Sequence, residues 1–120
     1  MPGRAAEMDV RLPAHLEVSA LLRQAQAGGG FASVLTKGER EGGTILVVLR
    51  ERGANARILE RMPGLDGTRN WHRSKYQLTD SSKEIDEYLD RRANQDQDLW
   101  IIELDIANGE RLIGLDQSPG

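Results

Sequence analysis

Asp96-Gln97-Asp98-Leu99-Trp100-Ile101-Ile102-Glu103-Leu104-Asp105-Ile106 is the stretch that decides the architecture of this chain. Side chains of a strand alternate between two faces, so Trp100, Ile102, Leu104 and Ile106 share one face while Leu99, Ile101, Glu103 and Asp105 share the other. From Leu99 to Ile102 both faces are apolar, and from Glu103 onward only one is. This is the pattern of an anchor strand that starts inside a sheet and carries an acidic end to the surface.

Upstream of the anchor, Ser81 followed three residues later by Glu84 is a capping-box signature for a helix. Its inner face holds Ile85, Tyr88 and Leu89, and it is expected to run to about Asn94. Downstream, Asn108-Gly109 predicts a tight hairpin into a short strand, Arg111 to Leu115.

Near the start of the chain, Pro13 suits a first helical turn, and Val18, Leu21, Leu22 and Ala25 recur at helical spacing. That helix stops at Gly28-Gly29-Gly30, where glycine can take the left-handed C′ conformation. Phe31 to Thr36 reads as a strand, Lys37 to Gly43 as a polar turn, and Thr44 to Arg50 as a second strand whose Ile45-Leu46-Val47-Val48-Leu49 run calls for burial on both faces. A turn at Arg52-Gly53-Ala54-Asn55 leads into a third strand, Ala56 to Met62. These three consecutive strands predict an antiparallel meander. After the break at Pro63-Gly64-Leu65-Asp66-Gly67, Thr68 to Leu78 reads as a weaker strand or ordered loop.

Strand and helix do not alternate regularly, which argues against a doubly wound parallel sheet. The expected class is α+β: a single domain with a largely antiparallel sheet and two helices packed on one face. It is expected to span residues 11–116, with residues 1–10 a flexible N-terminal tail and 117–120 a frayed C-terminus. At 120 residues the chain can bury one core without disulfides or metal.

Net charge is −3 and the pI about 5.4, which argues against indiscriminate binding to nucleic acid or anionic lipid. Charged residues at 29% with hydrophobics at 38% place the chain in the globular range. The absence of cysteine excludes thiol chemistry and leaves a reducing, cytoplasmic home as the default. The first ten residues have no apolar segment of the signal-peptide type, and the longest apolar run, Ile45 to Leu49, falls far short of the roughly 18 to 20 residues that span a bilayer. No membrane association is expected.

Gly28-Gly29-Gly30-Phe31, Lys37-Gly38 and Asp96-Gln97-Asp98-Leu99-Trp100-Ile101-Ile102-Glu103, with Val18-Ser19-Ala20-Leu21-Leu22-Arg23 ahead of them, resemble domain of unknown function family 1491, small alphaproteobacterial proteins. The resemblance covers most of residues 10 to 106. In that family's acidic motif a proline stands between the two aspartates, where this chain has Gln97, so the turn is less rigidly specified. The resemblance implies one compact domain and brings no activity, cofactor or catalytic residue.

Two segments carry residue types suited to chemistry. Arg69-Asn70-Trp71-His72-Arg73-Ser74-Lys75-Tyr76 interleaves cations with aromatics, as single-stranded nucleic acid or an anionic ligand requires, and makes Trp71, His72, Arg73, Lys75 and Tyr76 candidate binding residues. The alternative is an edge strand whose Trp71 packs on the core and whose charges deter aggregation. Asp96, Asp98, Glu103 and Asp105 form the acidic strand end, able in principle to hold a cation or supply acid and base; the alternative is solvated carboxylates around a turn.

His15 and His72 belong to no metal-binding spacing, and no serine lies in a G-x-S-x-G elbow. No metal or cofactor is expected. The glycine run ends a helix rather than opening one, the wrong polarity for a phosphate loop.

The leading reading is a non-enzymatic interaction or assembly module, self-associating as a homodimer or binding an unidentified protein through a sheet edge. An anionic-ligand or nucleic-acid binder using residues 69–76 is the second reading. A small enzyme pairing His72 with Glu103 or Asp105 is the third.

Overall fold

The computed structural model describes residues 12–63, 69–73 and 82–113. In chain order the elements are α1 (Ala14–Ala27), β1 (Phe31–Thr36), β2 (Ile45–Glu51), β3 (Ala54–Pro63), β4 (Arg69–Arg73), α2 (Ser82–Gln95), β5 (Trp100–Asp105) and a 3-10 turn (Gly109–Ile113). The strands form one sheet in the order β1-β5-β2-β3-β4. Every neighbouring pair is antiparallel except β2 and β5, which run parallel. The α+β class with a largely antiparallel sheet is therefore as expected.

The meander is displaced by one strand from its expected position. β2, β3 and β4 are the consecutive antiparallel strands, and β5 is inserted between β1 and β2. The reason lies in burial: Ile45 to Leu49 and Leu99 to Ile102 are buried at every position, so both strands must sit inside the sheet, covered on both faces. Phe31 to Thr36 has no such demand and takes the edge.

The same double-faced burial corrects the placement of the helices. Ala14, Val18 and Ala25 of α1 pack with Ile45, Val47, Leu49, Leu59, Trp100, Ile102 and Leu104. Ile85 and Leu89 of α2 pack with Leu46, Val48, Ile58, Leu99 and Ile101. These are the alternate residues of the same strands, so the helices lie on opposite faces rather than on one. A sheet apolar on both sides needs cover on both.

α1 begins with Pro13 as its cap rather than its first helical residue. Its first amides are not left open, because Ala14 N–H donates to the Glu41 carbonyl at 2.9 Å and His15 N–H to that of Arg40 at 2.9 Å. It ends as a Schellman motif: Gly30 N–H donates to Ala25 O, Gly29 N–H to Gln26 O, and Gly29 sits at φ 90°. α2 runs to Gln95, close to its expected end; its Ser81 cap lies outside the described residues.

Asn108-Gly109 does not turn into a strand. Asn108 takes φ 58° and Gly109–Ile113 coils as a 3-10 turn, with Arg111 N–H donating to Asn108 O at 2.9 Å. Leu112 and Ile113 pack against the α1-side core. Burial of these side chains on an already covered face wins over extension into a lone strand. Of the expected weak strand, residues 69–73 form β4; the rest of it lies outside the described residues.

Candidate functional site

The two ends of β5 are where the chain's unusual residues gather. At its beginning, the loop after β1 wraps the Asp98-Leu99-Trp100 corner so closely that a Cβ on Gly38 would stand 2.3 Å from the Asp98 carbonyl oxygen and 2.6 Å from Leu99 C. A Cβ on Gly43 would meet the same oxygen at 2.3 Å. Glu39 N–H donates to Asp98 O at 3.0 Å, and the Trp100 indole N–H returns a bond to Glu39 O at 2.7 Å. The Asp96 carboxylate caps this corner by accepting from Asp98 N–H at 3.0 Å. Glu39 accepts from the amides of Glu41 (3.1 Å) and Gly42 (2.6 Å), which hold its carboxyl below the ordinary carboxylate range, aided weakly by Arg40.

At the other end, a cleft of about 750 Å3 is lined by Gly28 to Phe31, Glu51, Arg52, Asn55 and Asp105 to Ala107. It forms where the parallel strands β2 and β5 finish and β1 begins. Gly30 is required by close approach, since a Cβ there would lie 2.6 Å from Asp105 O. The hairpin from β2 to β3 has Arg52 (φ 53°) and Gly53 (φ 78°) as its two turn residues, the dihedral pattern of a type I′ turn. Asp105 secures it, accepting from Arg52 N–H at 2.7 Å and Gly53 N–H at 2.9 Å.

The four residues of the acidic end therefore do not converge. Asp96 and Asp98 sit at the beginning of β5, Asp105 caps a turn at its end, and Glu103 pairs with Arg50 at 3.1 Å. Among the described residues, no group of three or more His, Cys, Asp or Glu is placed to hold a metal ion. The glycine run offers no cradle for phosphate either, because the amides of Gly28, Gly29 and Gly30 all donate to carbonyls of α1.

In the basic-aromatic segment, Trp71 and His72 point to opposite faces of β4. Trp71 pairs with Arg61, packs against the α1-side core and lies under the Arg61 guanidinium at 5.2 Å. His72 is exposed and pairs with Glu60. The side chain of Arg73, and Lys75 and Tyr76 altogether, lie outside the described residues. The proposed acid–base pair of His72 with Glu103 or Asp105 does not form: β2 and β3 stand between β4 and β5, a separation of about 14 Å at the usual strand spacing.

The feature not singled out from sequence is the outer edge of β1, which no strand among the described residues pairs. Even-numbered residues of β5 turn their amides toward β2, as Trp100 N–H to Thr44 O (2.8 Å) and Ile106 N–H to Arg50 O (2.9 Å) show. Glu103 and Asp105 consequently turn toward β1, and their partners Ser33 and Phe31 turn inward. Ala32 and Val34 are left with N–H and C=O groups facing outward. Along this edge Phe31 is 78% exposed, Leu35 46% and Val34 39%. The sequence signal was present, in six residues, Phe31 to Thr36, without one charge.

No helix among the described residues is long and apolar enough to cross a membrane. No curated protein matches the chain. Among solved structures, a DUF1491 family protein from Caulobacter crescentus CB15 is 31% identical with a TM-score of 0.72, covering 85% of this chain and 94% of that one. The solution structure of protein Atu0922 from A. tumefaciens is 29% identical with a TM-score of 0.73, covering 92% of this chain and 98% of that one. The paired glycine motifs that suggested the family are the residues that let neighbouring backbone close around the two ends of β5. With the family's sequence pattern matched over residues 12–114, the chain belongs to the DUF1491 family, proteins of unknown function.

Proposed function

We propose that this protein is a non-enzymatic assembly module that associates through the free edge of β1. The observation that carries this reading is the contrast between the two edges of the sheet. β4 holds Arg69 and Arg73 within five residues, the kind of charge that deters edge pairing, whereas β1 has none and exposes Phe31, Val34 and Leu35. An uncharged edge with outward amides is a template for one more strand. The packing of Trp71 beneath Arg61 supports an edge-strand role for residues 69–73 over a ligand patch.

Light scattering across micromolar to millimolar protein tests the reading. Association is expected, and Val34→Pro, which removes an outward N–H without touching the β5 pairing, is expected to abolish it. Phe31→Lys, at an exposed position, should weaken it as well. A protein that stays monomeric throughout, or one whose association neither variant changes, overturns the reading.

A further inference from the structure

We infer that the partner at this edge is a second copy of the chain, its β1 antiparallel and centred on Ser33, with Lys37 of each copy entering the cleft of the other. The inference rests on the edge reading above and specifies the occupant.

Geometry selects the register. Only Ala32 and Val34 face outward in the regular part of β1, which ends at the register shift between Val34 and Thr36. Pairing centred on Ser33 sets Ala32 of each copy opposite Val34 of the other, so every outward N–H and C=O of that stretch is used. Centring on Ala32 instead would set Val34 opposite Gly30, whose N–H already donates to Ala25 O at 2.9 Å. Centring on Val34 would set Ala32 opposite Thr36, which pairs with Ile101 and so turns its own N–H and C=O inward.

Side chains agree with that register. Phe31 comes opposite Leu35 of the second copy, joining the two most exposed apolar groups of the edge in a cross-strand pair on each side of the dyad. Past the end of the strand, Lys37 in the following loop is carried toward Gly29 of the second copy, at the mouth of the cleft. Lys37 is exposed and has no ion-pair partner among the described residues, while the cleft carries the Asp105 carboxylate, which accepts from two turn amides, and that of Glu51, 3.8 Å from Arg57, beside the guanidinium of Arg52. Opposite charges thus meet at both ends of the interface.

The chain has no cysteine, so an introduced thiol is its sole one. At the dyad the two Ser33 residues form a pair without mutual hydrogen bonds, with Cα atoms about 4.5 Å apart, inside disulfide range. Ser33 is exposed, so Ser33→Cys is expected to leave the fold intact. Mild oxidation is expected to convert Ser33→Cys into a disulfide dimer. Lys37→Cys should remain uncrosslinked, because its two copies lie more than about 20 Å apart.

Lys37→Glu is expected to raise the dimer dissociation constant by up to about tenfold, the effect of rim charges, and Lys37→Glu with Glu51→Lys to recover it. A wild-type monomer overturns the inference. So does a dimer that Val34→Pro abolishes but Ser33→Cys fails to link, an outcome that leaves the edge reading standing and rejects this register. A dimer indifferent to Val34→Pro removes both.

Discussion

Glu60 and Arg61, consecutive in β3, point to opposite faces of the sheet and each ties down the helix on its own side. The Glu60 carboxylate is held by Arg92 of α2 in a two-pronged contact at 2.6 and 2.8 Å, and Arg92 also donates to the Tyr88 hydroxyl at 3.1 Å. Arg61 pairs with Glu17 of α1 while its guanidinium covers Trp71. One dipeptide thereby fixes both outer layers against the same strand.

Cutting one tie should destabilise the domain without dissolving the other layer. Arg92 has its pKa raised chiefly by the hydrogen bond to Glu60, so it stays charged, and both side chains are about four-fifths buried. Glu60→Gln is expected to cost about 1.5 to 3 kcal/mol, the range for hydrogen bonds to charged groups. The check is the urea midpoint, with Glu60→Gln/Arg92→Met as the double variant. A double variant no more stable than the sum of the singles would show that the pair does not act as a unit.

Glu39 gives the acid side of the stability profile. Backbone amides of Gly42 and Glu41 lower its pKa from 4.5, so the folded state favours the charged form. A depressed carboxyl contributes stability that is present above its unfolded value and lost as pH falls through its folded one. The β1–β2 loop is therefore expected to loosen below about pH 4.5, seen as a shift of the Gly42 amide resonance with a midpoint under that of an ordinary glutamate. Glu39→Gln should remove the transition.

Gly38 leaves no room for a side chain, since the nearest atoms are backbone rather than the movable end of a side chain. Gly38→Ala is expected to destabilise by about 1 to 3 kcal/mol, as overpacking does. Gly29→Ala has open space around it but a φ of 90°, and should cost about 1 to 2 kcal/mol for its backbone conformation alone. Thermal melts of the two variants separate a steric requirement from a conformational one.

Arg52 is a residue with a Cβ in the left-handed region at a turn where asparagine is preferred. Arg52→Asn keeps the N–H that Asp105 accepts and should raise stability by about 0.5 to 1 kcal/mol. Asp105→Ala removes the acceptor of two turn amides and should lower it by about 1 to 3 kcal/mol. A combined variant whose shift departs from the sum of the two would place both effects in the same hairpin.

Local order was legible because it is encoded locally. The periodicity of Val18, Leu21, Leu22 and Ala25, the glycine stop after Ala27 and the doubly apolar runs at Ile45 and Trp100 each specify an element from neighbouring residues alone. The candidate cleft is not legible, although Asp105 and the glycine run each carry a local signal. It is assembled from the ends of β1, β2 and β5, and no window of sequence contains all three.

What the sequence determined by itself is the two helices, the strands up to β5, the α+β class and the family pattern, since hydrophobic period and turn chemistry act over a few residues. Tertiary structure alone decided that β5 enters between β1 and β2, that the helices divide between two faces, and that β1 is left as an open edge. Those outcomes depend on how the whole apolar surface is buried at once. Strands with a run apolar at every position, β2 and β5, claim the centre of the sheet, and the strands with polar residues among theirs, β1 and β4, are left at its edges.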